Sequence, residues 1–182
     1  MALGIVLTLD DELAAPVEDI WRRLEAAGVG KTPGQFAEPP HVTLALLPYG
    51  DPAQLADLLD TTPFAGTSVK LVPFGAFRDE RCSLYYNAVL CPALLGAHAA
   101  LYDQIRALRL EHDELYAPGS AVFHCSLAVD IEPESLPAGV DICLRGPREL
   151  RGHADAVELF EYFPARSLHR RRLEQTDGTV AP

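Results

Sequence analysis

One five-residue pattern occurs twice in this chain, as His41-Val42-Thr43-Leu44-Ala45 and as His124-Cys125-Ser126-Leu127-Ala128. Each copy lies in a short apolar run bounded by loop-forming residues, which is the text of a buried strand. Successive side chains on a strand point to opposite faces. His41 and Thr43 therefore share one face while Val42 and Leu44 take the other, and His124 and Ser126 form a second polar patch in the same way. A fold that accepts both copies must bury one side of two strands and leave a small polar patch on the other side of each.

The rest of the chain supplies layers for such a fold. Leu3 to Leu9 is an apolar run suited to a buried strand, with Asp10 and Asp11 as candidate helix N-caps. Leu13, Val17, Ile20, Trp21 and Leu24 recur at spacings of three and four, which predicts a helix ending near Gly28 or Gly30. Residues 31–40 read as loop, and Pro39 and Pro40 hold the approach to the strand His41 to Leu47 extended. Asp51 is placed to cap a helix from Pro52 with Leu55, Leu58 and Leu59 inward. Ser68 to Phe77 and Ser83 to Leu90 are rich in β-branched and aromatic residues, and RDER between them predicts a hairpin. Pro92 opens a helix to about Leu110, and Val122 to Val129 is the next strand. Val140 to Leu144 and Ala154 to Phe163 are expected to be strands joined through GPRELRG.

A hairpin interrupts the alternation of strands and helices, so the expected class is α+β. The 182 residues suit one unit, with 48% apolar and 23% charged residues, an ordinary globular balance. We expect one domain over 1–173 and a disordered tail over 174–182. The N-terminal apolar run meets Asp10 too early for a signal peptide or a membrane span, so a cytoplasmic protein with no membrane contact is expected. The four cysteines, Cys82, Cys91, Cys125 and Cys143, have no CxxC spacing and are expected to be reduced and buried.

A formal charge of −11 repels polyanions, so long nucleic acids are poor partners without a concentrated basic patch. The dense basic run Arg166 to Arg172 reads as a solvated face. A monomer acting on a small molecule is expected.

Two opposed histidines can move both protons of a phosphoryl transfer, one taking the proton of the attacking oxygen and the other protonating the departing one. An imidazole pKa near 6.5 allows one neutral and one protonated ring near neutral pH, so neither a metal nor another cofactor is required. Thr43 and Ser126 can donate hydrogen bonds to phosphate oxygens. A lone strand histidine is more often a packed or solvated residue, but the matched hydroxyls and flanking apolar residues of the two copies favour a site.

The paired motifs HVTLALL and HCSLAV resemble those of the 2H phosphoesterase superfamily, which includes 2′-5′ RNA ligase-like proteins and cyclic nucleotide phosphodiesterases. The resemblance covers most of the chain. It implies two pseudo-symmetric lobes of antiparallel or mixed sheet, with helices on the outer faces and a central cleft. It also implies hydrolysis of a 2′,3′-cyclic phosphate, or related 2′-5′ phosphodiester chemistry, carried by His41 and His124 as catalysts and by Thr43 and Ser126 on the phosphate. HCSLAV carries serine where threonine is commoner, and it lacks the basic residue that some RNA-processing members have just after the motif. A nucleotide-binding module without turnover, and 2′-5′ RNA end ligation, are the competing readings.

Other features carry less. GVGKT at Gly28 to Thr32 fails as a P-loop because Glu25 stands where a glycine is needed and a helix precedes it. Lys31 reads as a solvated loop lysine, and Arg78 and Arg81 as exposed turn residues. Phe36 and either Tyr85 or Tyr86 are candidates to stack on a base, with strand phase undecided. His98, His112, His153 and His169 lack a partner motif and read as structural or exposed.

Overall fold

The computed structural model describes residues 2–78, 80–162 and 165–174. Seven strands among them, β1 Leu3–Leu9, β2 His41–Leu47, β3 Ser68–Arg78, β4 Cys82–Leu90, β5 His124–Ile131, β6 Leu150–Glu161 and β7 Arg166–Arg172, form one open sheet in the order β2-β1-β6-β3-β4-β5, with β7 also on β6. Every pairing is antiparallel. The first residues of β6 pair with β3, and its later residues carry β1 and β7. One long strand therefore serves both halves of the sheet, and the two motif strands, β2 and β5, end up on its opposite edges. With four helices, α1 Asp11–Ala26, α2 Pro52–Thr61, α3 Pro92–Ala107 and α4 Leu136–Leu144, the class is α+β.

Helix α1 forms where its periodicity requires. Asp10 accepts from the backbone N–H of Leu13 at 3.1 Å, and Leu13, Val17, Ile20, Trp21 and Leu24 are buried against the sheet. Asp51 caps α2 in the same way through Ala53 N–H, with Leu55, Leu58 and Leu59 buried. Helix α3 stops at Ala107, three residues short of the expected Leu110, where Arg109 turns left-handed at φ 54°.

The segment Val140 to Leu144 is a correction. Its spacing predicts a strand, and it instead ends helix α4. Val140, Ile142 and Leu144 alternate as a strand would, but Leu144 is exposed, while Leu136, Gly139, Val140 and Cys143 face inward at helical spacing. A Cβ at Gly139 would come within 2.8 Å of Leu84 and 2.9 Å of Val29, so α4 packs closely there. The C-terminal end of the last expected long strand, Phe163, and positions 175–182 of the expected tail lie outside the described residues.

The edges of β2 and β5 are tied down by side chains and loops. Lys31 and Val129 exchange backbone hydrogen bonds of 2.8 Å, pinning the loop before β2 onto β5. Gly30 permits this approach: its φ is +62°, and a Cβ there would sit 2.5 Å from the Val129 carbonyl oxygen. Trp21 donates its indole N–H to the Ser126 carbonyl at 3.0 Å. On the other edge His98 Nε2 donates to the carbonyls of Leu44 and Tyr116 at 3.2 and 2.9 Å.

His98 is 3% exposed, so its loss strands two carbonyls in the interior. His98→Ala is expected to lower unfolding free energy by about 2–3 kcal/mol. Urea denaturation checks this, and a loss of under about 0.5 kcal/mol would mean that the carbonyls find other donors.

All four cysteines are free and buried. Among the described residues no helix is long and apolar enough to cross a membrane. The basic run of β7 is largely paired within the fold. Arg166 meets Glu161, Arg170 meets Glu158 and Asp155, and Arg171 Nη1 donates to the carbonyls of Leu59 and Thr62 at the end of α2.

Candidate active site

Both motif strands carry the same irregularity. In β2, Thr43 pairs with Val6 and Ala45 with Ile5, which leaves Leu44 as an extra residue. In β5, Ser126 pairs with Tyr85 and Ala128 with Leu84, which leaves Leu127 extra. Each is a β-bulge directly after the hydroxyl residue. The His and hydroxyl positions stay partly open in both copies, while the residues between and after them are buried. The bulge lets Leu and Ala both turn inward without moving the polar face.

His41, Thr43, His124 and Ser126 line one cleft of about 370 Å³ together with Lys31, Phe36, Glu38, Tyr116, Asp130 and Tyr162. Beneath it the fully buried Cys125 sulfur meets the backbone of His41, and burial pushes this thiol up to about 12. The thiol is therefore a packing group at neutral pH.

The imidazoles are oriented alike. His41 Nδ1 lies 2.8 Å from the Pro39 carbonyl, and His124 Nδ1 lies 2.6 Å from the Val122 carbonyl. A carbonyl only accepts, so each Nδ1 carries the proton and each neutral ring keeps its Nε2 lone pair for the cleft. Burial holds both imidazoles below their ordinary value of 6.5, partly offset by these carbonyls, and the charge of His124 further lowers His41. The Phe160 ring lies parallel to His41 with centroids 6.4 Å apart, and Tyr85 and Phe77 each stand 5.1 Å from the His124 ring.

Tyr85 is thus the hairpin tyrosine on the site side. Tyr86 points into the core and donates to the Pro147 carbonyl at 2.9 Å. Phe36 lines the cleft. Lys31 also reaches it, but its ammonium is 2.7 Å from Asp130. Arg81 pairs with Asp130 and Glu132. His153, His169 and His112 meet Thr67, Asp60 and the Leu110 carbonyl, and with His98 none of them lines the cleft.

Sequence reasoning missed three site groups. Tyr162, just past β6, shares a hydrogen bond with Thr43, and burial raises its phenol. Tyr116 borders both this cleft and a second, more apolar hollow of about 360 Å³, which Phe77, Leu115, Val122 and His124 also line. Glu38 places a carboxyl 4.0 Å from His41 Nε2. A carboxylate three residues before a motif histidine, locked by two prolines, was the available signal for Glu38. Nothing local pointed to the two tyrosines.

Gly4 makes room for Tyr162, because a Cβ there would meet the ring at 2.5 Å. Gly4→Ala is expected to displace the ring and with it the Thr43 hydroxyl, lowering kcat roughly three- to tenfold. Comparing kcat with the unfolding midpoint checks this, since a pure packing defect would shift only the midpoint.

The sheet topology, the paired imidazoles and the matched hydroxyls define a two-histidine site on an open antiparallel sheet. The chain belongs to the 2′-5′ RNA ligase superfamily, the 2H phosphoesterase family, whose sequence profile matches residues 9–163. Membership gives it a phosphoesterase or ligase-like activity. The fold is similar to that in the crystal structure of TT0787 of Thermus thermophilus, with a TM-score of 0.59 and 17% identity over 96% of this chain and 99% of that one. No curated protein matches the sequence.

Proposed function

We propose that this protein is a metal-independent phosphodiesterase that hydrolyses a small nucleotide phosphodiester, foremost a 2′,3′-cyclic phosphate. The observation that carries this reading is the matched orientation of His41 and His124. A backbone carbonyl holds each Nδ1, so both Nε2 atoms are available to the cleft beside the Thr43 and Ser126 side chains. Two such nitrogens serve as base and acid on opposite sides of a phosphorus, and the hydroxyls serve its non-bridging oxygens. Among the described residues no group of three or more His, Cys, Asp or Glu side chains is arranged to hold a metal ion.

The apolar hollow beside His124, with Phe77, Tyr116 and Val122, supports binding of a nucleoside rather than of further phosphates. The rim argues against long RNA ends: its lysine is already paired with Asp130. The net charge of −11 acts in the same direction.

The test is turnover by the wild-type protein of a panel of 2′,3′-cyclic mononucleotides, 2′-5′ dinucleotides and ADP-ribose cyclic phosphate. Hydrolysis of a cyclic mononucleotide, undiminished by chelator, is the expected result. Tight binding of a nucleotide with no turnover would sink the enzyme reading and leave a binding module.

A further inference from the structure

The two motif copies match so closely that they do not say which histidine is the acid. The surroundings of the two rings differ. Residue 38 is fixed by its loop: Ala37 is left-handed at φ 61°, Glu38 N–H donates to the Pro33 carbonyl at 3.2 Å, and Pro39 and Pro40 follow. One short segment thereby addresses both nitrogens of His41, the Pro39 carbonyl at Nδ1 and the Glu38 carboxyl at Nε2. The two side chains are only 12% and 14% exposed. His124 has its carbonyl partner, and no carboxylate pairs with it among the described residues.

We propose that Glu38 is a third proton-carrying group of this site, the ion-pair partner of His41 at 4.0 Å, so that His41 protonates the leaving oxygen and His124 takes the proton of the attacking water. The inference rests on the phosphodiesterase reading above. In hydrolysis of a cyclic phosphate, His124 Nε2 accepts a proton from water as the water oxygen bonds to phosphorus. The bond from phosphorus to the ribose oxygen breaks, and that oxygen takes the proton from His41 Nε2. The Glu38–His41 pair then holds one proton fewer and His124 one more. Release of a proton from His124 to solvent and uptake of one by the pair restore the starting state.

Burial pushes the Glu38 carboxyl up to about 7, so this carboxyl holds a proton beside His41 to near neutrality. The groups facing Glu38 in the cleft are His41 and His124 on the motif strands, Tyr162 after β6, Tyr116 before β5, and the Lys31–Asp130 pair at the rim, and Glu18, Arg22 and Glu25 of α1 line a second hollow with it. Glu158, whose charge favours protonation of His41, is itself bound by Arg170 and by Ser167. An ionised Glu38 would also repel the substrate phosphate, which loads the same loss of rate onto the alkaline side.

The experiment measures kcat/KM between pH 5 and 9 on a 2′,3′-cyclic mononucleotide for wild type, Glu38→Gln, Glu38→Asp, His41→Ala and His124→Ala. Wild type is expected to lose activity above about pH 7. Glu38→Gln should move this limb to below the ordinary imidazole value and cost about tenfold at pH 7.5, while Glu38→Asp, which keeps a carboxyl, retains the limb. On a 4-nitrophenyl phosphodiester, whose leaving group needs no acid, His41→Ala should lose far less than on the cyclic substrate, and His124→Ala should lose as much.

A Glu38→Gln profile identical to wild type, or rescue falling on His124→Ala, overturns the assignment while leaving the two-histidine reading intact. Full turnover by both alanine variants overturns that reading, and this inference with it.

Discussion

Alanine at His41 or at His124 is expected to lower kcat on a 2′,3′-cyclic mononucleotide about a thousandfold. Replacing both should cost little more than replacing one, because an acid and a base that act in the same step fail as a unit. The expectation follows from placement: each ring presents Nε2 to the cleft because its Nδ1 is held by the carbonyl two residues earlier. The fold should survive both changes, since the strands are fixed by the buried residues between and after the polar positions, such as Val42, Leu44, Cys125 and Leu127, and not by the rings. Steady-state kinetics beside an unfolding curve decides the point. A loss below about tenfold in either variant, with the fold intact, contradicts a two-histidine mechanism.

The pH dependence of kcat/KM carries the second large effect. Productive free enzyme has a neutral base and a protonated acid, so the profile is a bell falling about tenfold per pH unit on both sides. With His124 as the proposed base, its acidic limb belongs to protonation of that ring. Burial disfavours that charge, so the limb lies below 6.5 and the base stays free further into acid than an exposed histidine would. On the proposed roles the alkaline limb belongs to the last proton of the His41–Glu38 ion pair and falls near 7, where burial puts the Glu38 carboxyl. The maximum therefore lies on the acidic side of neutrality. For kcat, measured with substrate bound, the phosphate anion stabilises the protonated imidazole and the alkaline limb moves up. A maximum above pH 8, or a flat profile between 5 and 8, would contradict this arrangement.

Much of the fold and of the site is legible in the chain alone. Helix α1 and both motif strands follow from apolar spacing, because a period of 3.6 or 2 is a property of neighbouring residues. The four motif side chains are legible as chemistry for a related reason: a duplicated pattern is readable without knowing where its copies meet. The same locality misleads at Val140 to Leu144. There two periods fit the text, and the choice falls to what helix α4 packs on, with Leu84 and Val29 from distant parts of the chain against Gly139. Strand phase also hides which of Tyr85 and Tyr86 reaches the site, since bulges in the β3–β4 and β4–β5 pairings shift the register.

What the sequence by itself determined is an inventory: two imidazoles and two hydroxyls on strand faces, and a formal charge of −11. What only the tertiary structure decided is their environment. The opposite edges of one sheet are brought to a single cleft by long-range pairing, through Lys31 with Val129, Trp21 with Ser126 and His98 with Leu44. That closure buries both rings and sets Glu38 against one of them alone. Burial and charge proximity are properties of the packed volume, so the symmetry of the two motifs is broken only in three dimensions.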